Sequence, residues 1–506
     1  MKAIRHIVIV GGGTAGWITA GLIAAKYRHG LKVSLVESPT ARPIGVGEGT
    51  WPTIRETLRR IGVAEIDLIR HCDAAFKQGS KFIGWGNGRD SYYHPFTAPQ
   101  GFSTVNLAAD WSGYDVFADH VAFQPALCEA GCAPRRADTP EYAGLANYAY
   151  HLDAGRFGEF LRGRVTAKLG VDHVRADVTG AINDADGYIR ELSCAGGHPP
   201  IAGDLFVDCT GFAARLLSGH YGVGFKGCGD ELMIDTALAV QVPYAKPDAP
   251  IACATLSTAQ RAGWIWDIGL PHRRGIGHVF SSRFTSDDEA IEDLKAYAAR
   301  DGHRVNDGDV RRIGITAGHR DTFWVRNCVA IGLAMGFVEP LEASSIVMVE
   351  LSARMIADQM PSARDDMADV ARRFNTLFAY RWERIIDFLK LHYVLSHRDE
   401  PFWRASRAPE TVRDSLTGLL DTWAHRPPWH GDFTHREEVF SEASHQYVLY
   451  GAGFRTHIPD WRRDSLDRGA LDPYRREVAK ARQALINHLP SHRALIDAMR
   501  ATTAAA

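Results

Sequence analysis

Three glycines in the run Gly11-Gly12-Gly13-Thr14-Ala15-Gly16 carry the first chemistry visible in the chain. In the spacing Gly11-x-Gly13-x-x-Gly16, the first glycine permits a tight turn and the second lets backbone approach a pyrophosphate. The third allows close packing of helix on strand. A helix opening at Thr14 and Ala15 offers phosphates its unpaired N–H groups and the positive end of its dipole. Glu37, closing the next apolar stretch, is placed to accept hydrogen bonds from ribose hydroxyls. The set reads as a dinucleotide site, with a glycine-rich turn lacking any ligand as the plainer alternative. Glycine spacing alone does not separate FAD from NAD.

Other reactive residues are less informative. Cys128 and Cys132 are spaced for a disulfide or a zinc site, but no second close Cys or His pair completes a tetrahedron, so they read as two ordinary thiols. The chain holds 22 histidines, yet none falls in a His-Glu-x-x-His pattern, which disfavours metal catalysis. The acidic run Asn183-Asp184-Ala185-Asp186-Gly187 lacks the remaining ligands of a calcium loop and reads as a hairpin turn.

The elements that must position these residues follow from periodicity. Residues 4–10 are β-rich and lead into the glycines. A helix with Trp17, Ile18, Leu22 and Ile23 as apolar positions comes next, then a strand from Val33 to Val36, making a β-α-β unit. Phe157, Phe160, Leu161, Val165 and Leu169 mark a helix face that Gly170 stops. A strand is expected over His173–Val178. Residues 230–285 read as strands, including Thr236–Val242 and His278–Ser282. After about 345 the pattern turns helical, with Tyr380–Leu395 an amphipathic helix and another helical run near 474–500. The last six residues read as a frayed tail.

Composition bounds the partners. The chain has 506 residues, 45% hydrophobic and 23% charged, with a net charge of −2. Its length implies two or more joined modules, and its charge gives no electrostatic footprint for nucleic acid. The apolar run after the basic N-terminus is too short for a secretory signal, and no stretch has the length of a membrane helix. Eight cysteines in so long a chain make no disulfide scaffold. A cytoplasmic protein without a membrane partner is expected.

Later segments favour FAD. The strand Asp204-Leu-Phe-Val-Asp208-Cys-Thr-Gly211 resembles the second flavin-contacting segment of glutathione-reductase-type and hydroxybenzoate-hydroxylase-type flavoproteins. No second glycine fingerprint follows a strand to hold NAD(P)H, so the flavin would be reduced by a separate flavin reductase. Across nearly its whole length the chain resembles the flavin-dependent tryptophan halogenase family. The glycine fingerprint is followed by Ile44-Gly45-Val46-Gly47-Glu48-Gly49-Thr50-Trp51-Pro52, then by Ala75-Phe76-Lys77-Gln78-Gly79 and Tyr92-Tyr93-His94-Pro95-Phe96. Trp264-Ile265-Trp266-Asp267-Ile268-Gly269 resembles the family's Trp-x-Trp-x-Ile-Pro signature. Gly336-Phe337-Val338-Glu339-Pro340-Leu341-Glu342-Ala343-Ser344-Ser345 matches the segment carrying its second catalytic residue, and Trp382–Tyr393 resembles its C-terminal helical signature.

The resemblance implies an α/β fold: an FAD-binding module of the hydroxybenzoate-hydroxylase or glutathione-reductase type with a mainly helical substrate module. The implied divisions are 1–100 (first FAD part, with the lysine segment), 101–149 (insertion of the substrate module), 150–220 (second FAD part), 221–310 (sheet region with the tryptophan signature), 311–360 (last FAD part, with the glutamate and halide segment) and 361–506 (helical substrate module). It also implies that reduced FAD, dioxygen and a halide ion, chloride or bromide, yield hypohalous acid, which travels to a separate aromatic substrate. Lys77 is then the catalytic residue that hydrogen-bonds the acid or carries the halogen as a haloamine, and Glu342 its catalytic partner. Gly47, Asp208, Gly332 and Leu333 join Gly11, Gly13, Thr14, Ala15, Gly16 and Glu37 as cofactor-binding residues. Ser344 and Ser345 offer backbone N–H groups to the halide. His94 and Phe96 line the substrate pocket. Trp264 and Trp266 wall the tunnel between the two compartments, or serve as core aromatics.

Two departures shift the expected substrate. Gly269 replaces the signature proline, and Ala343 stands where tryptophan-specific members carry serine. Phe440–Gly453 also lacks obvious groups for the polar ends of tryptophan. Indole, or a larger indole- or phenol-containing molecule, is expected instead, with bromide preferred over chloride. A flavin monooxygenase that hydroxylates aromatics, and a non-catalytic flavoprotein, share the glycine fingerprint and the Asp208 segment. A homodimer is left open.

Overall fold

The computed structural model describes residues 2–40, 47–300, 302–435 and 437–501. Of the motifs above, Ile44, Gly45 and Val46 lie outside the described residues, as do the last five residues of the expected tail. The chain forms two units that share it in alternating pieces: Met1–Asp73, Leu152–Cys228 and Thr316–Glu383 in the first, and Ala74–His151, Gly229–Ile315 and Arg384–Ala506 in the second. The break after Asp73 puts the Lys77 segment in the second unit, whereas the implied division kept residues 1–100 together.

The first unit is built on a six-stranded sheet in the order Trp324–Val325, Cys328–Ala330, Leu205–Asp208, His6–Val10, Lys32–Glu37, Asp172–Arg175. All neighbours pair in parallel except the first two. Ile7 to Val10 and Leu205 to Asp208 are buried throughout, as expected of parallel strands covered on both faces. The helix Thr14–Tyr27 packs against Ala154–Leu169 and Ser344–Asp358. Asp153 caps the second of these through the Arg156 amide, and Gly170 ends it in the left-handed region. The expected strand over His173–Val178 is two: it stops at Arg175, and Val178–Asn183 starts a separate three-stranded sheet. Asp184 turns that hairpin, accepting the Asp186 and Tyr188 amides at 3.0 Å.

The second unit holds a seven-stranded sheet, in the order Arg311–Gly314, Thr236–Pro243, Arg273–Phe280, Gly263–Gly269, Thr255–Gln260, Gly79–Ile83, Ser91–Pro95. Only Thr255–Gln260 and Gly79–Ile83 run parallel. The helix Asp287–Ala299, opened by a Ser286–Glu289 capping box, covers one face, where Ile265 joins Leu238, Val240, Ile276, Phe280 and Leu294 in the core. Alternation along the strand sends Trp264 and Trp266 to the opposite face. The helices Glu442–Gly451, Arg468–His488 and His492–Ala501 complete this unit. The amphipathic helix expected at Tyr380–Leu395 is longer, Met367–Val394.

None of the eight cysteines is in a disulfide, Cys128 and Cys132 included. Among the described residues no cluster of His, Cys, Asp and Glu is placed to hold a metal. No described helix is long and apolar enough to cross a membrane.

Candidate active site

In the first unit the glycine fingerprint forms the turn its spacing predicts. Gly11 has φ +118°, and a Cβ there would lie 2.1 Å from the Cys209 carbonyl oxygen. At Gly16 a Cβ would fall 1.9 Å from the Gly11 carbonyl oxygen, so strand and helix touch through backbone. A Cβ on Gly13 would meet nothing within 4 Å, and no side chain caps the helix that follows. An uncapped helix start leaves its first-turn amides to be bonded by a ligand, and the room beside Gly13 suits the close approach of a pyrophosphate. Gly332 (φ +69°), just ahead of Leu333, lies beside Ala15 across this turn. The residues fit an FAD.

Glu37 closes its strand with Oε2 bonded to His173 Nε2 at 2.7 Å, and that ring packs edge-on against Trp17. Asp208 ends its strand fully buried. Its Oδ1 accepts from the Thr210 amide and hydroxyl, at 3.1 and 2.6 Å, and its Oδ2 accepts the Leu216 and Leu217 amides at 2.8 Å. With both oxygens spent on its own loop, this carboxylate shapes the cofactor side of the sheet from within.

Glu342 sits in a tense turn. It has φ +60° and Ala343 has φ +52°, two consecutive non-glycine residues in the left-handed region, where each costs about 1 kcal/mol. The Trp51 indole N–H donates to the Glu342 carbonyl at 2.7 Å and holds the turn. Ser344, buried, and Ser345, half-buried, then open the helix Ser344–Asp358, whose start carries no side-chain cap.

Two further carboxylates of this unit carry raised pKa values. Glu48, in the strand Gly47–Gly49, is pushed up to about 7 by burial and by Asp153, and its Oε2 has no hydrogen-bond partner among the described residues. Glu350 is fully buried and pushed up to about 8 by burial. Its oxygens accept the hydroxyls of Thr53 and Thr57, at 3.2 and 2.5 Å. Glu48 and Trp51 lie in the Ile44–Pro52 motif but were given no role of their own from sequence, and nothing in the sequence singled out Glu350.

In the second unit Lys77 is 1% exposed, an unusual place for a lysine. Its Nζ lies 5.3 Å from the centre of the Phe96 ring, so the structure brings together two residues that the sequence reading named separately, one as a catalytic candidate and one as a pocket candidate. His94, two residues before Phe96, is buried with its ring near Phe388 and Tyr447. Trp264 packs among Trp85 and Trp266, while Trp266 lies flat over Gly277, whose Cβ would fall 2.0 Å from the indole. Both are embedded in the aromatic core on that face of the sheet. An open cleft of about 380 Å³ is lined by Asn106, Arg426, Trp429, His430 and Arg462. Gln446 donates to Asn106 Oδ1 and the Pro428 carbonyl at the edge of this cleft, and its neighbour Tyr447 faces His94.

A largely parallel sheet with a glycine turn at the carboxyl end of its strand His6–Val10 defines a dinucleotide-binding protein. The comparisons narrow the class. The tryptophan halogenase family model matches residues 6–467, and the chain belongs to that family. It is 33% identical over 443 residues, 83% of this chain and 82% of the relative, to tryptophan 6-halogenase ThaL of Streptomyces albogriseolus. The solved tryptophan halogenase of Shewanella frigidimarina NCIMB 400 superposes with a TM-score of 0.94 at 42% identity, covering 99% of this chain and 98% of that one. BrvH, a flavin-dependent halogenase from Brevundimonas sp. BAL3, gives 0.85 at 33% identity, covering 98% and 99%. The protein is thus a flavin-dependent halogenase.

Proposed function

We propose that the protein halogenates an electron-rich aromatic, indole or a larger indole- or phenol-containing molecule, through hypohalous acid taken up at Lys77. The observation that carries this reading is the buried Lys77 amine over the face of Phe96. Reduced FAD, supplied by a separate flavin reductase, would hand its electrons to dioxygen, and the dioxygen would supply the oxidising equivalents that turn a halide into hypohalous acid.

The chain's own groups do the rest. First-turn amides of the Ser344 helix offer a halide, chloride or bromide, the hydrogen bonds a helix start leaves unmade. Trp264 and Trp266 wall off the aromatic compartment. The Lys77 amine hydrogen-bonds the hypohalous acid or carries its halogen, and burial around it excludes the water that would otherwise compete. Held as the acid, the halogen is attacked by the ring's electron pair while its hydroxyl leaves as water with a proton from the lysine ammonium; carried as a haloamine, it has already released that water, and the amine is the group the ring displaces. In both routes Glu342 takes the proton released as aromaticity returns. His94 and Phe96 hold the flat substrate. The cleft bordered by Trp429 and Arg462 supports a substrate larger than indole, since Tyr447 separates it by one residue from the His94 wall.

The test supplies FAD, a flavin reductase, NADH, dioxygen, bromide or chloride, and a panel running from indole and tryptophan to bulkier aromatics. A monohalogenated product that disappears in Lys77→Ala supports the reading. A hydroxylated product formed without halide would move the assignment to a monooxygenase.

A further inference from the structure

One side chain outside the assigned residues is spent directly on the backbone of the lysine strand. Ala75–Lys77 ladders antiparallel with Ala149–Asp153, Phe76 standing opposite Tyr150. In such a ladder alternate amides point away from the partner strand and need another acceptor when buried. The Phe76 amide donates to Nε2 of His492 at 2.9 Å, across 416 residues of sequence. The next outward amide, that of Gln78, donates to the Cys253 carbonyl at 2.7 Å. Lys77 lies between these two anchored amides.

His492 opens the helix His492–Ala501 and is 1% exposed. Its own amide donates to the Gly131 carbonyl at 2.7 Å, and Nδ1 donates to the Ile251 carbonyl at 3.1 Å. An imidazole that accepts an amide proton at Nε2 must carry its hydrogen on Nδ1 and no charge. Burial, which pulls its pKa down to about 4, keeps it so. A second buried imidazole stands on the lysine's face of the ladder: His151, opposite Ala75 and diagonal to Lys77. Its Nε2 is bonded to the Thr255 hydroxyl at 2.8 Å, and burial, followed by the charge of Lys77, holds it well below its ordinary pKa.

We propose that His492 is a positioning residue for halogen transfer: by accepting the Phe76 amide it fixes the strand so that the Lys77 amine keeps one place over the Phe96 ring. This rests on the reading of Lys77 as the group that takes up hypohalous acid. A side chain that merely filled space beside Phe76 would affect stability and leave the fate of the oxidant unchanged. An acceptor that aims the amine decides whether hypohalous acid reaches the substrate or escapes.

The experiment measures halogenated product per flavin oxidised, with a cyclic 1,3-diketone in solution to trap escaping hypohalous acid. It compares wild type, Lys77→Ala, His492→Leu, His492→Gln and His492→Asn. His492→Leu is expected to lower product per flavin about tenfold and to raise trap halogenation, while the KM for the aromatic stays within twofold. Glutamine, whose Oε1 reaches the place of Nε2, is expected to recover at least half of the coupling. Asparagine, too short to reach Phe76, is expected to recover none. Hydrogen exchange in the peptide spanning 74–78 should rise in the Leu and Asn variants and stay low in Gln. Should His492→Leu fail to fold, the Gln–Asn contrast carries the same test. Wild-type coupling in a folded Leu or Asn variant, a loss confined to KM, or a Gln variant no better than Asn would overturn the proposal. Full product from Lys77→Ala is a separate result: it would remove the lysine reading itself, and this proposal with it.

Discussion

At the scale of single residues, two groups of the first unit make measurable claims. Glu350 has its pKa raised from 4.5 to about 8 by burial, so the folded chain holds a proton there that the unfolded chain sheds. Its stabilising contribution is complete below about pH 4.5 and is lost as pH rises through about 8. Glu350→Gln, which does not titrate, should match wild type near pH 5 and exceed it at pH 8.5 by on the order of 3 kcal/mol. Urea midpoints at the two pH values check this. Trp51 grips the Glu342 carbonyl, so Trp51→Phe should cost about 1 kcal/mol of stability. It should also lower kcat roughly tenfold at unchanged KM, because a left-handed pair at 342 and 343 released from its tether moves the carboxylate. A steady-state comparison with a melting curve separates the two effects.

At the scale of elements, the dinucleotide turn was legible from sequence because every residue that builds it lies within one β-α-β unit. Gly11, Gly16 and the strand His6–Val10 fall where spacing put them. Gly11→Ala should therefore abolish FAD retention and lower the unfolding midpoint, its Cβ driven into the Cys209 carbonyl. Retention of flavin through gel filtration by that variant would contradict the turn. Contacts between distant segments were not legible. Trp51 meets Glu342 across 291 residues and Phe76 meets His492 across 416, and no local pattern encodes either. The helix Met367–Val394 was read short although its first half carries Met367, Val370, Phe374 and Phe378 at helical spacing, all buried, with Asp369, Arg372 and Arg373 standing between them. At Asp208 the strand, Asp and Gly were visible, but not the four donors that fold back onto the carboxylate.

At the scale of the molecule, alternating patterns gave the existence of strands between 230 and 285 but not their company. Gly79–Ile83 joins that sheet from far upstream in the chain, parallel to Thr255–Gln260, and so the lysine segment belongs with the second unit. That none of the eight thiols is in a disulfide has a consequence for endurance. A catalyst that handles hypohalous acid works beside groups this oxidant attacks: one thiol takes the halogen and releases water, and a second displaces the halide to leave a disulfide. Cys253 and Cys132, both buried, stand nearest that hazard, since their carbonyls hold Gln78, the residue after Lys77, and the Cys253 thiol lies 3.4 Å from the Cys132 carbonyl. On the reading of Lys77 proposed above, each escape of oxidant would spend some of the enzyme itself, and its working life would be counted in turnovers rather than hours. The Cys132→Ala/Cys253→Ala double variant should complete more turnovers before it falls silent, at an unchanged initial rate.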